Sequence, residues 1–245
     1  ITTFNDYQIH ENDEINFIKS GKTWYGDVFD IVNNRIFDFN FPNRIGVSKL
    51  KLVLAARASS PYNSTFTINS SGMTEEVSTF SGVYGSYNYA NTKTIEKEVN
   101  PNSENIQVQL SFSSPSSSAK GWIDFIEVNA ERELKMNGNQ MSFRSLASVR
   151  PERISKFEIS NASSSLLIWD VSNPLIPKKQ SLSTIDSKAI FCLKTDSLKE
   201  FIAFSGVFKN VELNGKVSNQ NLHALKDIDY LIVSHPTFLT EANRL

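Results

Sequence analysis

The sequence predicts a mainly β protein of antiparallel β-sandwich domains, followed at its end by the first strand and helix of an α/β domain. The segment IQVQLSF carries the main signal, because apolar side chains occupy every second position, the period of a half-buried strand: Ile106, Val108, Leu110 and Phe112. Clusters of Ser, Gly, Pro and Asn recur between such segments, in SSPYNST, NSSGM and SSPSSSAKG. Their spacing is typical of the turns of an antiparallel sandwich.

Residues 1–130 are predicted to form the first β-sandwich domain. The segment KLKLVLAAR repeats the alternation with Leu50, Leu52 and Leu54. In GWIDFIEV both faces are apolar, with Trp122 and Ile126 on one face and Ile123 and Phe125 on the other. This segment is therefore predicted to be a central strand.

Residues 131–226 are predicted to form a second β-rich domain, which begins after the charged connector AERELKMNGNQ. Its strand-length segments are rich in Phe, Ile, Val and Leu: RISKFEIS, SLLIWDVS, AIFCLKT, KEFIAFS and GVFKNVEL. SNPLIPKK is predicted to be a solvated loop, because its prolines remove backbone donors and fix φ. The pattern leaves open whether strands of the two domains share a sheet.

Residues 227–245 have a different sequence pattern from the preceding β-rich segments. In DYLIVS four apolar residues run consecutively over 230–233, which suits a strand buried on both faces of a parallel sheet. A helix is expected next, with Ser234 or Thr237 as its cap, Pro236 in its first turn, and one apolar face: Phe238, Ala242 and Leu245. One βα unit cannot bury its own faces, so the rest of a parallel sheet is expected to follow beyond residue 245.

Composition narrows the function classes. The chain has 245 residues, of which 40% are hydrophobic and 21% charged, and its net charge is −1. This balance argues against binding to nucleic acid or to a membrane surface, because both need an excess of basic residues. A single cysteine, Cys192, excludes an intrachain disulfide and a cysteine-based zinc site. No apolar stretch reaches the roughly 20 residues of a transmembrane segment.

The nucleophilic and basic side chains form no readable catalytic set. His10, His223 and His235 are far apart in sequence. His235 follows a predicted strand end, where ligands of open α/β sheets bind, but we prefer to read it as a turn residue before Pro236. Cys192 lies in the strand-like AIFCLKT, so an inert or buried thiol is expected.

Acidic side chains suggest structural roles instead. The oxygens of NDYQIHENDE could bind calcium, yet their spacing matches no known loop and a solvated segment is preferred. Asp124 and Asp170 lie within or beside apolar segments. Such a carboxylate needs hydrogen-bonding partners, and its usual use is to hold a loop or to pair with an arginine.

Aromatic residues raise a carbohydrate-binding alternative, because sugars stack on exposed aromatic faces. The candidates are Trp24, Tyr25, Trp122 and Trp169, with the segment YGSYNY at 84–89. The competing interpretation is that the tryptophans anchor the core. We favour the core for Trp122, while the tyrosine segment stays open.

Several segments together resemble one known family. They are GKTWYGDVF (21–29), GWIDFIEVNAERELKM (121–136), LIWDVSNPLIP (167–177), NQNLHAL (219–225) and DYLIVSHPTF (229–238). In this order they are similar to the amino-terminal half of the PorU-like sortases of the type IX secretion system, which are gingipain-type cysteine peptidases of Bacteroidota. The resemblance covers most of the chain and is strongest in its last three segments.

The resemblance implies a non-catalytic role for this chain. In the family, β domains precede a caspase-like α/β peptidase domain whose first strand is similar to DYLIVSHP, and the catalytic His and Cys lie downstream. Neither Cys192 nor His235 matches those positions, so no catalytic residue is carried over, and no cofactor-binding or metal-binding residue is expected. The chain alone is expected to be an inactive scaffold.

The whole protein would be a hydrolase at the outer membrane surface of a Gram-negative bacterium. There it would cleave carboxy-terminal sorting signals from exported cargo by thiolate attack and link the cargo to an anionic lipopolysaccharide. Its partners would be the cargo and surface components of the secretion system, including a shuttle protein. In the same phylum, the segment DSL at 196–198 resembles an O-glycosylation site.

Three alternatives stay open on the sequence. The main one is a carbohydrate-binding or adhesive β-sandwich module of a cell-surface protein. A self-contained enzyme that uses Asp124 or Asp170 is less favoured, because no paired acid and base can be read from the sequence. The third is a parent whose peptidase domain is degenerate and serves only for interaction.

Overall fold

Antiparallel strand pairing dominates the molecule, and the mainly β prediction is confirmed. The computed structural model describes residues 1–19, 21–84, 88–206, 212–216 and 221–245. In these residues the strands are β1 (Thr3–Glu11), β2 (Gly26–Phe29), β3 (Asn34–Asn40), β4 (Arg44–Arg57), β5 (Ser64–Ser70), β6 (Glu76–Phe80), β7 (Asn91–Val99), β8 (Asn105–Ser113), β9 (Lys120–Glu133), β10 (Gln140–Arg144), β11 (Ile154–Ile159), β12 (Leu167–Asp170), β13 (Lys178–Lys179), β14 (Ser183–Ile185), β15 (Lys188–Lys194) and β16 (Glu200–Phe204).

Helices are few and short. In the described part of the chain they are 3₁₀ turns at Leu146–Ser148, Leu222–Ala224 and Pro236–Phe238, and a single helical turn α1 at Leu239–Ala242. Within the described stretches, none of the helices has the length and apolarity to span a bilayer. The chain divides into two compact units, Ile1–Gly206 and Val207–Leu245.

Two sheets of the first unit enclose a first hydrophobic core. One sheet has the order β1-β9-β4-β7, with β2 also paired to β9, and the other has the order β3-β8-β5-β6. Leu50, Leu52 and Leu54 of β4 face the core. The alternating apolar residues of β8 meet them from the other sheet, so the predicted sandwich and both predicted alternations are confirmed. Burial of these side chains is the main favourable free-energy term for this part of the fold.

The central strand β9 departs from its predicted faces. It pairs with β1, β2 and β4, so its central position is confirmed. However, consecutive residues Val53 and Leu54 of β4 pair with Phe125 and Ile123, which leaves Asp124 as the extra residue of a β-bulge. The bulge reverses the alternation, so Ile123 and Ile126 lie in the same core while Trp122 packs elsewhere. The assignment of Trp122 and Ile126 to one face was wrong.

The other two sheets of the first unit, β10-β16-β12-β13 and β11-β15-β14, enclose a second core. Its centre is a cluster of four phenylalanines whose neighbouring rings lie 5.0–6.4 Å apart: Phe143, Phe157, Phe191 and Phe201. The strands predicted in RISKFEIS, SLLIWDVS, AIFCLKT and KEFIAFS are confirmed. GVFKNVEL spans 206–213, and its residues 207–211 lie outside the described residues.

Residues near position 130 belong to both cores. Strand β9 runs through residue 130, and Leu134 and Met136 just beyond it pack in the second core. Phe4 of β1 also packs there, although β1 pairs with β9. The division into 1–130, 131–226 and 227–245 as separate domains stays a prediction.

The end of the second unit only partly follows the sequence pattern. Residues 230–233 form no strand, and their side chains are exposed. The physical reason is that a strand needs a partner for its backbone groups, and no strand lies among residues 212–216 and 221–245. Pro236 does begin a helical turn, but its cap is His235, whose Nδ1 accepts a hydrogen bond of 3.2 Å from the Thr237 N–H. The helix α1 ends at Ala242, before Leu245.

Candidate functional site

Four aromatic side chains, Phe17, Tyr25, Tyr89 and Trp122, pack together beside a surface depression that we name the aromatic cleft. The chain at residues 14 and 15 lies against Tyr25, because the N–H groups of Glu14 and Ile15 both donate to the Tyr25 carbonyl. This brings Phe17 onto Tyr25, with parallel rings 4.3 Å apart, and against the Trp122 ring at 4.8 Å. Tyr25 and Trp122 are buried, whereas Tyr89 is exposed.

Polar groups surround the aromatic cleft. The Arg57 guanidinium lies 4.5 Å above the Tyr89 ring and donates to the Tyr89 carbonyl. Asn88, Lys22 and Thr23 also line the opening. Trp24 is exposed in an adjoining depression lined by Glu14 and Lys19. Exposed aromatic faces beside amide and ammonium donors suit a neutral, hydroxyl-bearing ligand.

The charge beside the cleft is negative. Burial raises the pKa of the Asp124 carboxyl, and the nearby carboxylates of Glu11 and Asp13 raise it further. Burial also raises the pKa of Tyr25, against a hydrogen bond with Thr92 that lowers it, while Asp124 adds to the increase. Three carboxyl groups, those of Glu11, Asp13 and Asp124, therefore gather on this side of the cleft, which disfavours an anionic ligand.

A group of polar side chains that no sequence pattern indicates links the two sheets of the first core. His10 Nε2 lies 2.6 Å from Asp27 Oδ2, and Arg35 Nη1 lies 3.6 Å from the other Asp27 oxygen. Asn12 Nδ2 donates to the same carboxylate at 3.2 Å. Since these residues come from different strands and loops, only the folded topology brings them together. The arrangement ties β1 and β2 to β3 and is structural.

The structure places Cys192 at the surface. It is exposed on β15, because the neighbouring Phe191 points into the second core and successive side chains alternate. The prediction of an inert or buried thiol was therefore wrong about burial. His223 lies in the 3₁₀ turn Leu222–Ala224, and His235 is the cap described above.

The predicted structural carboxylates are found in two settings. Asp170 Oδ1 accepts hydrogen bonds from the Ser172 N–H at 3.0 Å and the Ser172 hydroxyl at 2.6 Å, which holds the start of the loop after β12. This is the loop-holding role that the sequence predicts. Asp124 instead occupies the bulge in β9.

The segment NDYQIHENDE is mostly strand β1, so its side chains diverge to both faces. Asp6 pairs with Arg132 at 2.6 Å, and His10 pairs with Asp27. Over the described stretches, no three His, Cys, Asp or Glu side chains lie together in a way that could hold a metal ion.

The tryptophans differ in exposure. Trp122 is buried in the aromatic cleft's floor with Tyr25 and Ala55, which confirms its assignment to the interior. Trp169 is half-buried beside Phe204, and Trp24 is exposed. In the tyrosine segment, Tyr84 and Tyr89 are exposed, and residues 85–87 lie outside the described residues.

Comparisons by sequence find no protein-family model and no curated protein that matches this chain. Comparison of structures finds dimeric latent PorU from Porphyromonas gingivalis, with a TM-score of 0.82 and 23% identity over 100% of this chain. The match covers 24% of the PorU chain, so this chain spans about a quarter of that protein's length.

Two carbohydrate-binding modules match far less well. A CBM36-1 domain of a multidomain xylanase from the hindgut metagenome of Trinervitermes trinervoides has a TM-score of 0.31, with 13% identity over 50% of this chain and 96% of its own. A CBM36 module in complex with calcium and xylotriose has a TM-score of 0.29, with 15% identity over 50% of this chain and 98% of its own. The similarity that extends over the whole chain is to PorU: this protein has a PorU-like, mainly β fold.

Proposed function

We propose that this chain is the non-catalytic amino-terminal β portion of a longer gingipain-type cysteine peptidase, the sortase of a type IX secretion system. One observation carries the proposal: the PorU similarity has a TM-score of 0.82 and covers the whole chain. The five sequence segments that resemble PorU-like sortases support it independently. At 23% identity the structural similarity supports the fold, whereas the peptidase activity is our proposal.

In this role the chain is a scaffold. Its two buried cores and four antiparallel sheets give the first unit a rigid framework, on which a peptidase domain can be positioned. The proposed parent acts outside the cytoplasm, at the outer membrane surface, on exported cargo and with surface components of the secretion system. Within this proposal, residues 131–226 are the second β domain and residues 227–245 are the start of the peptidase domain.

The thiol that attacks the sorting signal would lie in the remainder of the parent. There a histidine would deprotonate it and backbone N–H groups would stabilise the oxyanion. Cys192 is exposed on a strand, with no assigned part in this chemistry. Our proposal therefore predicts that Cys192 can be removed without loss of peptidase activity.

The test is active-site labelling of the longer gene product. The protein would be treated with an electrophilic, thiol-directed peptidase probe, and the labelled cysteine identified by mass spectrometry. A Cys192→Ser variant removes background reaction at the exposed thiol. We expect stoichiometric labelling of one cysteine outside residues 1–245 in both forms. An open reading frame that ends near residue 245, or labelling that Cys192→Ser abolishes, would refute the proposal.

A second candidate function is glycan binding, which the exposed aromatic rings of Tyr89 and Trp24 favour. Each sugar-stacking ring removed should weaken binding about tenfold or more. Glycan-array binding by this chain, compared with Tyr89→Ala and Trp24→Ala, tests it. Tyr62→Ala is the matched control, because Tyr62 is also exposed but does not line the cleft. Equal binding by all four forms would exclude the aromatic cleft as a glycan site.

A further inference from the structure

The loop between β12 and β13 presents two large aliphatic side chains to solvent. Leu175 is 90% exposed and Ile176 is 62% exposed. They lie side by side between Pro174 and Pro177, at the tip of the turn that joins Asp170 to Lys178. We name residues 174–177 the apolar tip. Exposure of adjacent aliphatic side chains to water is unfavourable. Their transfer into an apolar environment would lower the free energy.

The apolar tip has no unsatisfied backbone donor. The Leu175 N–H donates to Asn173 Oδ1 at 3.0 Å, and the Ile176 N–H donates to the Asn173 carbonyl at 3.1 Å. Pro174 and Pro177 have no N–H. Moving a free N–H group out of water is costly, so a turn without free donors can enter an apolar medium at a low penalty.

Two lysines follow the apolar tip directly in the sequence. Lys178 and Lys179 are exposed on β13, and neither ammonium lies within ion-pair distance of a carboxylate among the residues that the structure describes. Asp170 pairs with Lys178 through the backbone register, but its Oδ1 accepts both hydrogen bonds from Ser172. Both positive charges are therefore available to an outside anion.

We propose that the apolar tip docks this chain on an anionic lipid surface. Leu175 and Ile176 would enter the boundary between headgroups and acyl chains, and Lys178 and Lys179 would bind lipid phosphate. The spacing fits, because two to three extended residues span about 7–10 Å and interfacial segments insert about 5–10 Å deep. The near-neutral charge describes the whole chain, whereas this loop combines apolar side chains with positive charge, and both add to binding at an anionic lipid surface. This inference does not depend on the proposed peptidase.

The test is co-sedimentation of the 245-residue chain with sucrose-loaded vesicles of phosphatidylcholine alone or with an equal part of phosphatidylglycerol. We expect binding to the anionic vesicles only. Leu175→Ser/Ile176→Ser and, separately, Lys178→Glu/Lys179→Glu should each lower the partition coefficient about tenfold. The matched control is Ile31→Ser/Val32→Ser, which removes an aliphatic pair of 91% and 53% exposure with no lysine next to it in the sequence. The nearby Lys120 is already paired with Asp30 at 3.1 Å. It should bind like the parent chain.

Insertion needs a second readout. A Leu175→Cys variant in a Cys192→Ser background, labelled with an environment-sensitive fluorophore, should show a blue-shifted emission on anionic vesicles. Circular dichroism would verify that every variant keeps its β spectrum. Three results would each overturn the proposal: no binding to anionic vesicles, binding that the Leu175→Ser/Ile176→Ser pair does not weaken, or an unshifted emission. Either of the last two results would indicate that the chain binds the vesicles through charge alone, or that the apolar tip binds a pocket of another protein.

Discussion

At the residue scale, Arg132 is the one charged residue that is buried among the residues the structure describes. Its Nη1 lies 2.6 Å from Asp6 Oδ2, its Nε donates to the Pro42 carbonyl at 2.6 Å, and its guanidinium lies 5.0 Å from the Phe4 ring centroid. Arg132→Met would leave Asp6 without its partner, so the free energy of unfolding should fall by about 3 kcal/mol. Urea denaturation measures the change.

Arg144→Met is the matched control for that substitution. Arg144 Nη1 lies 3.3 Å from Glu200 Oε1, and both side chains are partly exposed. An ion pair in such a setting contributes about 0–1 kcal/mol, so this variant should unfold almost like the parent. Equal losses in the two variants would contradict the assignment of Arg132 as the buried link between β1 and β9.

A pH dependence follows from Asp124. Its pKa is raised in the folded state, mainly by burial, so the folded chain retains a proton that the unfolded chain has lost as pH rises from about 4. Stability due to this group therefore falls as pH rises through that window. Asp124→Asn should be about 0.5 kcal/mol more stable than the parent at pH 7, a small gain because water reaches part of the carboxylate. Below pH 4 the two should be equal.

Asp38 provides the opposite case for the same urea titrations. Hydrogen bonds from Asn105 and Gln107 lower its pKa, so its contribution is present at neutral pH and is lost as pH falls. Asp38→Asn should therefore be the less stable form at pH 7 and should converge with the parent in acid. The same sign for both variants would contradict the electrostatic description.

At the element scale, strand β4 separates the two faces of its sheet. Leu52 is fully buried in the first core, whereas its neighbour Val53 is half-buried on the opposite face. Leu52→Ala should lower the free energy of unfolding by about 3 kcal/mol, through lost burial and the cavity left behind. Val53→Ala should cost less than about 1.5 kcal/mol. A larger loss for Val53→Ala would mean that the register of β4 is shifted by one residue.

Strands in which apolar and polar residues alternate could be predicted from the sequence. Features that depend on pairing with a distant strand could not. The side chains of β8 and β4 show period-2 burial that their residues alone specify. The bulge at Asp124 has no such signal, because it exists only in the pairing of β9 with β4. Residues 230–233 have strand-like composition, yet tertiary context decides whether a strand forms.

The same distinction between local pattern and distant contact applies to the residues of the candidate site. Trp122 could be assigned to the interior from its apolar strand, but its contact with Phe17 depends on a loop more than 100 residues earlier in the sequence. The pairing of His10 with Asp27 and Arg35 likewise joins separate strands. Cys192 was misplaced because the segment AIFCLKT is apolar on both sides of the thiol, and only the second core shows which face is buried.

At the scale of the whole molecule, the chain has a PorU-like β fold, with two hydrophobic cores in the unit Ile1–Gly206. In the proposed function, the peptidase chemistry lies in the rest of a longer protein. The separation of scaffold from chemistry predicts that the 245-residue chain, although folded, does not hydrolyse peptides. It also predicts that the first unit is a structural part of the longer protein and contributes no catalytic nucleophile.

The most direct test is a cleavage assay with a fluorogenic substrate that carries a carboxy-terminal sorting signal. Equal concentrations of the longer gene product, its Cys192→Ser variant and the 245-residue chain would be compared. We expect the first two proteins to cleave the substrate at similar rates and the third not to cleave it. Cleavage by the 245-residue chain, or loss of cleavage in Cys192→Ser, would contradict this expectation.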